Sequence, residues 1–177
     1  MRPLIIASLA LSLVAPASFA QQSANPISDA LRSQWNGVKR NIQQSAELMP
    51  EGSWEFRPTD GVRSFGEILA HVAGASYQIC AAAKGEKTPY AEDYFEKNAK
   101  GRAAVTKATG DAIAYCDAVF TALTDASAAQ MVSNPFGDGQ MARAQALILQ
   151  VGHDNEHYGN LVTYFRMNGI VPPSSRR

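Results

Sequence analysis

The sequence predicts an all-α protein, a four-helix bundle. Four segments carry apolar residues at steps of three and four, which is the period of a helix with one buried face. The stretches between them are polar or rich in proline and glycine, and no segment shows the alternation of a half-buried strand. We therefore expect four amphipathic helices packed around one core.

The first helix is predicted over residues 27–49. Ser28 is available as its cap, and Pro50 closes it. Its apolar stripe consists of Ile27, Leu31, Trp35, Val38, Ile42, Ala46 and Met49. The next segment, residues 50–63, holds two prolines and two glycines, with Trp54 and Phe56 between them. We expect a loop whose aromatic side chains attach it to the bundle.

The second helix begins at a capping box. Ser64 is followed three residues later by Glu67, so the two side chains can satisfy each other's free backbone N–H groups. The apolar stripe comprises Phe65, Ile68, Val72, Ala75 and Ile79, and the helix should end near Gly85. His71 is then in the middle of this helix.

Two further helices complete the bundle. A polar connector over residues 86–100 precedes the third helix, whose stripe consists of Val105, Ala108, Ala112, Tyr115, Val119 and Leu123. Residues 125–139 contain Asn-Pro and Gly-Asp-Gly and should form turns. The fourth helix is expected from about Met141 to Met167, where Asn168 and Gly169 end it.

The first twenty residues have the pattern of a secretory signal peptide. A basic residue, Arg2, precedes an apolar run over residues 4–14 that is too short to span a bilayer. Ser18 and Ala20 supply the small residues of a cleavage site. We expect cleavage near Ala20 to leave one domain, residues 21–177, in the bacterial periplasm or outside the cell, with no membrane attachment.

Charge and cysteine content narrow the function further. Sixteen basic and sixteen acidic residues give a nearly neutral chain without a basic run, which makes nucleic acid a poor candidate partner. Cys80 and Cys116 both fall toward the latter half of neighbouring predicted helices. They can form a disulfide after export or remain two small buried side chains.

The three histidines of the chain can form one metal site. His153 and His157 are four residues apart on a predicted helix, so their side chains project one above the other. With His71 they would supply three imidazoles and leave a fourth position open, as in catalytic metal centres. The alternative is an ordinary solvated or hydrogen-bonded histidine pair.

Polar residues flank this histidine pair on the same helix face. Gln150, Asn160 and Tyr164 lie at −3, +7 and +11 from His153. They are candidates for hydrogen bonds to the metal-binding histidines or for contacts with a small-molecule substrate. Tyr164 also fits a core position, and Asn160 fits a helix interface. Glu67, four residues before His71, could replace one histidine in a two-histidine, one-carboxylate site, but that would leave one histidine unused.

Two other metal chemistries are weaker alternatives. Residues 153–157 match H-x-x-E-H, the inverted zinc-peptidase signature with Glu156 as base, but the all-helical pattern argues against that fold. A carboxylate-bridged di-metal centre would need acidic ligands on all four helices. Neither Asp154 nor Glu156 is well placed as a base, because they point about 100° and about 60° away from His153.

Three segments together resemble the DinB-like superfamily of metal-binding four-helix bundles, which includes YfiT-type proteins. They are SFGEILAHVA (64–73), HDNEHYGN (153–160) and the closing NGIVPP (168–173), and the resemblance extends over about residues 27–173. It implies a bundle whose second and third helices are joined by a long crossover connection. Many relatives carry Gln where this chain has Asn160.

The resemblance also implies a metal and a choice of activities. One divalent ion would be bound by His71, His153 and His157, with water completing its coordination shell. Zinc and nickel are the preferred candidates, and manganese and iron are the alternatives. Relatives include thiol-dependent transferases and isomerases and metal-dependent hydrolases, and related bundles often form homodimers. Because the usual thiol cosubstrates are cytosolic, export favours a hydrolase, or a non-catalytic protein that binds a metal or small ligand.

Overall fold

Four long helices form the described part of the chain, as expected. The computed structural model describes residues 23–176, and the expected signal peptide lies outside them. The long helices are α1 (Pro26–Leu48), α2 (Phe65–Lys84), α4 (Gly101–Ala122) and α6 (Arg143–Met167). Two short helices, α3 (Tyr94–Asn98) and α5 (Asp125–Ala128), lie in the connections. The all-α bundle is thus confirmed, and none of the helices in the described part of the chain could cross a membrane.

The predicted cap of α1 was wrong. Ser28 lies inside the helix and is fully buried, and Asn25 occupies the cap position without a side-chain hydrogen bond to the helix. Asp125 of α5 caps the helix instead, because it accepts hydrogen bonds from the backbone N–H of Ser28 at 2.8 Å and of Ile27 at 3.3 Å. Ile27, which we expected in the apolar stripe, is 61% exposed. The start of α1 is therefore held by a distant element.

Helix α2 is the most buried of the four long helices. Seventeen of its twenty residues are buried, and it packs against both α4 and α6. The capping box is confirmed: the Ser64 N–H donates to Glu67 at 2.7 Å, and the Glu67 N–H donates to the Ser64 hydroxyl at 3.3 Å. Gly85, with φ of 78°, ends the helix in the left-handed conformation that glycine adopts without strain.

The loop before α2 is attached by its aromatic side chains, as predicted. The indole N–H of Trp54 donates to the Met49 carbonyl at 3.1 Å, and its ring lies 5.5 Å from that of Phe65. The ring of Phe56 lies 5.9 Å from that of Tyr164 on α6. These contacts hold the loop against the end of the bundle where the histidines lie.

The long crossover connects α2 to α4 and contains the unpredicted helix α3. Phe95 and Tyr90 pack on Tyr77 of α2, with ring centroids 5.7 and 4.9 Å apart. The crossover also approaches α2 at Gly74, where an added Cβ would lie only 1.8 Å from the Glu92 carbonyl oxygen. Aromatic packing and this close approach fix the crossover on the surface of α2.

A short hairpin stands where we expected only turns. Strands β1 (Met131–Ser133) and β2 (Gln140–Ala142) pair antiparallel, with Val132 opposite Met141. The last helix consequently begins at Arg143, after Met141. The Gln78 side chain donates to the Pro135 carbonyl at 2.5 Å and ties the hairpin to α2.

In the structure, Cys80 and Cys116 form a disulfide. The bond joins α2 to α4 across a Cα–Cα distance of 5.4 Å, and both residues are fully buried. It closes a loop with a sequence separation of 36, which includes the whole crossover.

Candidate metal centre

The three histidines meet between α2 and α6. His71 comes from the middle of α2, and His153 and His157 come from successive turns of α6. One potential ligand atom from each ring lies within 4.8 Å of the other two. His71 and His157 are buried, with 8% and 9% of their surfaces exposed, and His153 is partly buried. Three imidazoles are thus close enough to bind one ion.

Burial keeps two of these imidazoles neutral at pH 7. Burial, followed by the positive charge of Arg63, lowers the pKa of His71. The pKa of His157 is lowered to about 3, first by burial and then by repulsion from His153 and His71. A neutral imidazole presents the nitrogen lone pair that a metal requires.

Glu96 contacts the far side of His71. Its carboxylate oxygen lies 3.0 Å from His71 Nδ1, and because a carboxylate only accepts, Nδ1 carries the proton. The other nitrogen, Nε2, then has its lone pair free and lies 3.3 Å from Nε2 of His153. Arg63 pairs with the same carboxylate through Nε at 2.8 Å and Nη2 at 3.3 Å.

Asp154 and Gln150 lie behind the histidines. Both are completely buried, and Asp154 Oδ1 lies 3.4 Å from Nδ1 of His153. Burial raises the pKa of the Asp154 carboxyl group. Gln150 donates to the Ser76 hydroxyl at 2.9 Å, so this predicted neighbour lies in the core and not at a cavity.

The buried atoms around the histidines fit a bound cation. Among the described residues, the buried side-chain atoms that lack a hydrogen-bond partner include Asp154 Oδ2 and Nδ1 of His157. Carboxylates contact the Nδ1 atoms of His71 and His153, an arrangement that metal-ligating histidines usually have. Imidazole nitrogens are common ligands of divalent transition metals, and a cation would compensate the buried carboxyl group.

A groove of about 770 Å³ opens beside the histidines, and we call it the site groove. His157 lines it, together with Asn160, Tyr164, Glu67 and Glu156. Asn160 is exposed to this space, and the Tyr164 hydroxyl donates to the Arg63 carbonyl at 2.5 Å. The histidine group thus has access to a space of small-molecule size.

Glu67 is not part of the histidine group. One of its carboxylate oxygens accepts from the Ser64 N–H at 2.7 Å and from Arg57 at 3.2 Å. These contacts match its capping role. The structure therefore gives no support to the two-histidine, one-carboxylate alternative.

Sequence reasoning missed Glu96 and Arg63. Glu96 lies in the segment that we expected to be a polar connector, and Arg63 lies in a loop. Neither has a spacing relation to a histidine. A weak signal was available in the aromatic residues Tyr90, Tyr94 and Phe95, which indicate that the connector packs on the bundle.

A family model of the DinB superfamily matches residues 34–161, which is more than half of the chain. The chain belongs to the DinB superfamily. The matched segment contains all three histidines, Glu96 and the whole crossover. The family expectation from the sequence is thereby confirmed. No curated protein matches the chain.

Solved structures of superfamily members share the fold. A DinB-like protein from Bacillus cereus ATCC 10987 matches with a TM-score of 0.68 and 16% identity, over 82% of this chain and 95% of that one. YfiT from Bacillus subtilis, described as a probable metal-dependent hydrolase with an unusual four-helix bundle topology, matches with a TM-score of 0.62 and 15% identity, over 85% and 92%.

A mycothiol-dependent maleylpyruvate isomerase also matches, with a TM-score of 0.62 and 14% identity. The match covers 76% of this chain and 60% of the isomerase, so this chain spans less than two thirds of that protein's length. At these identities the likeness establishes the fold and leaves the activity to be inferred from the site.

Proposed function

We propose that this protein is an exported metal-dependent hydrolase that binds one divalent cation through His71, His153 and His157. The observation that carries the proposal is the convergence of three ligand atoms within 4.8 Å beside the site groove. Catalytic metal centres combine three protein ligands with an accessible fourth position. A groove of about 770 Å³ can admit a small-molecule substrate.

A divalent cation held by three neutral ligands would lower the pKa of a water molecule bound to it and polarise a carbonyl or phosphoryl oxygen of the substrate. His157, one of the three histidines, lines this groove, so a cation held by the histidines would be accessible from it. Asn160 and Tyr164 line the groove and can orient a polar substrate. Although helix spacing did not favour Glu156 as a base, it lines the same groove and is the candidate proton acceptor, whereas Asp154 is fully buried and contacts no substrate directly.

Export is part of the proposal. It is supported by the signal-like pattern of residues 1–20 and by the disulfide between Cys80 and Cys116, a bond that persists in oxidising compartments. An oxidising location disfavours a cytosolic thiol as cosubstrate. Fractionation of cells that express the full chain tests this point, and a cytoplasmic, unprocessed product would contradict it.

A second candidate is a thiol-dependent transferase or isomerase. It is favoured by the likeness to the mycothiol-dependent isomerase. The third candidate is a non-catalytic bundle that binds a metal or a small ligand. Activity assays with carboxylic ester, amide and phosphate ester substrates, with and without a low-molecular-weight thiol, separate the three.

The first experiment is metal analysis by mass spectrometry on tag-free mature protein. We expect about one ion per chain in the wild type and none in His153→Ala. Asn155→Ala is the matched control, because Asn155 is exposed on the same helix between the two histidines. No bound metal after reconstitution with zinc, nickel and manganese would overturn the proposal.

A further inference from the structure

The crossover brings an acidic side chain to the histidine group. Glu96 belongs to α3 and lies 25 residues from His71 in sequence, yet its Oε1 is 3.0 Å from His71 Nδ1. This is the usual length of an N–H···O hydrogen bond. The opposite ring nitrogen of His71 faces His153, at 3.3 Å between their Nε2 atoms. The contact with Glu96 therefore decides which nitrogen of His71 can bind a cation.

Arg63 holds the Glu96 carboxylate in place. Its guanidinium reaches both carboxylate oxygens, at 2.8 and 3.3 Å, so the carboxylate cannot rotate freely. The backbone carbonyl of Arg63 accepts the Tyr164 hydroxyl at 2.5 Å, which links this pair to α6. Glu96 is thus fixed by contacts from both sides.

The backbone of α3 is fixed as well. Phe95, the residue before Glu96, packs on Tyr77 with ring centroids 5.7 Å apart. Lys100 donates to the Glu96 carbonyl at 2.8 Å, and the preceding turn lies against Gly74. A five-residue helix is not stable alone, so this placement is set by tertiary packing.

We propose that Glu96 is a positioning residue for the metal centre: it holds His71 with the proton on Nδ1 and the lone pair of Nε2 directed at the shared ion. This proposal rests on the proposed function, which supplies the bound ion. Without Glu96, the His71 ring is free to rotate and to exchange tautomers. The proton could then occupy the nitrogen that faces His153 and His157.

The test compares Glu96→Ala and Glu96→Gln with the wild type. Zinc affinity is measured by competition with a chromophoric chelator, and we expect Glu96→Ala to bind about 10- to 100-fold more weakly. Glu96→Gln should lose less, because the amide oxygen can still accept from Nδ1. Asp93→Asn is the control: it removes an exposed acid from the same segment, paired with Lys97, and should leave affinity unchanged.

A second readout needs no metal. In the metal-free protein at pH 8, nitrogen NMR of the imidazoles should show His71 as the Nδ1–H tautomer in the wild type and as a mixture in Glu96→Ala. Unchanged zinc affinity together with an unchanged tautomer in Glu96→Ala would overturn the proposal. If the wild type binds none of zinc, nickel and manganese, the proposed function fails, and the tautomer measurement still decides whether Glu96 sets the tautomer of His71.

Discussion

Replacing Gly74 by alanine should destabilise the protein, although alanine is the better helix former. Gly74 lies in the middle of α2, and a Cβ there would meet the Glu92 carbonyl oxygen at 1.8 Å and its carbon at 2.9 Å. Real Cβ contacts essentially never fall below 3.0 Å, so the oxygen must move by at least about 1.2 Å. The obstacle is backbone, and it belongs to the crossover that carries Glu96.

The magnitude follows from two opposing effects. Overpacking costs about 1–3 kcal/mol, and a clash with backbone falls at the upper end of that range. Replacing a glycine by alanine in a helix interior stabilises the helix by about 1 kcal/mol. We therefore expect a net loss of about 2 kcal/mol in the free energy of unfolding, and a Tm about 4–8 °C lower.

Gly110→Ala is the matched control. Gly110 is exposed in the middle of α4, and a Cβ there would meet nothing within 4 Å. The same substitution should stabilise the protein there by about 1 kcal/mol. Urea unfolding followed by circular dichroism, with the disulfide intact and chelator present, measures both variants. Equal or greater stability of Gly74→Ala than of the wild type would refute the close approach of the crossover to α2.

Two further predictions concern the disulfide and the capping box. Replacing both Cys80 and Cys116 with serine should cost about 3–4 kcal/mol, as expected for a closed loop with a separation of 36; unfolding curves that coincide with those of the wild type would contradict this. The pKa of Glu67 is lowered mainly by the hydrogen bond that its carboxylate accepts from the Ser64 N–H. Burial opposes this shift, and the attraction of Arg57 adds to it. Ionised Glu67 therefore stabilises the folded protein above the unfolded-state pKa, and this stabilisation is lost as the pH falls through the folded-state pKa. Glu67→Gln should be less stable than the wild type at pH 7 and should approach it near pH 2, so a pH-independent difference would argue against this.

The helices were predictable because their signals are local. The stripe of α2 and its capping box depend only on residues within a few turns, and Ser64 and Glu67 occupy the predicted roles. The pairing of His153 with His157 likewise follows from helix geometry. His71 could be joined to them only as the remaining histidine of the chain and through the family resemblance, since spacing cannot relate residues on different helices.

What could not be predicted depends on tertiary contacts. Asp125 caps α1 from a segment about a hundred residues away, so the sequence around Ser28 gave the wrong cap. The strands of the hairpin have three residues each, too few to show a period of two. Glu96 reaches His71 only because the crossover folds onto α2, and no local pattern encodes that path.

The disulfide makes residues 80–116 a closed ring of chain, and Glu96 lies near the middle of it. While the bond is intact, Glu96 is confined to a small volume around α2 even when α3 detaches, so its effective concentration at His71 stays high. Reduction opens the ring and lowers that concentration without touching a histidine. An oxidising compartment would thus keep the imidazole and its carboxylate together through local unfolding, and a reducing one would let them separate.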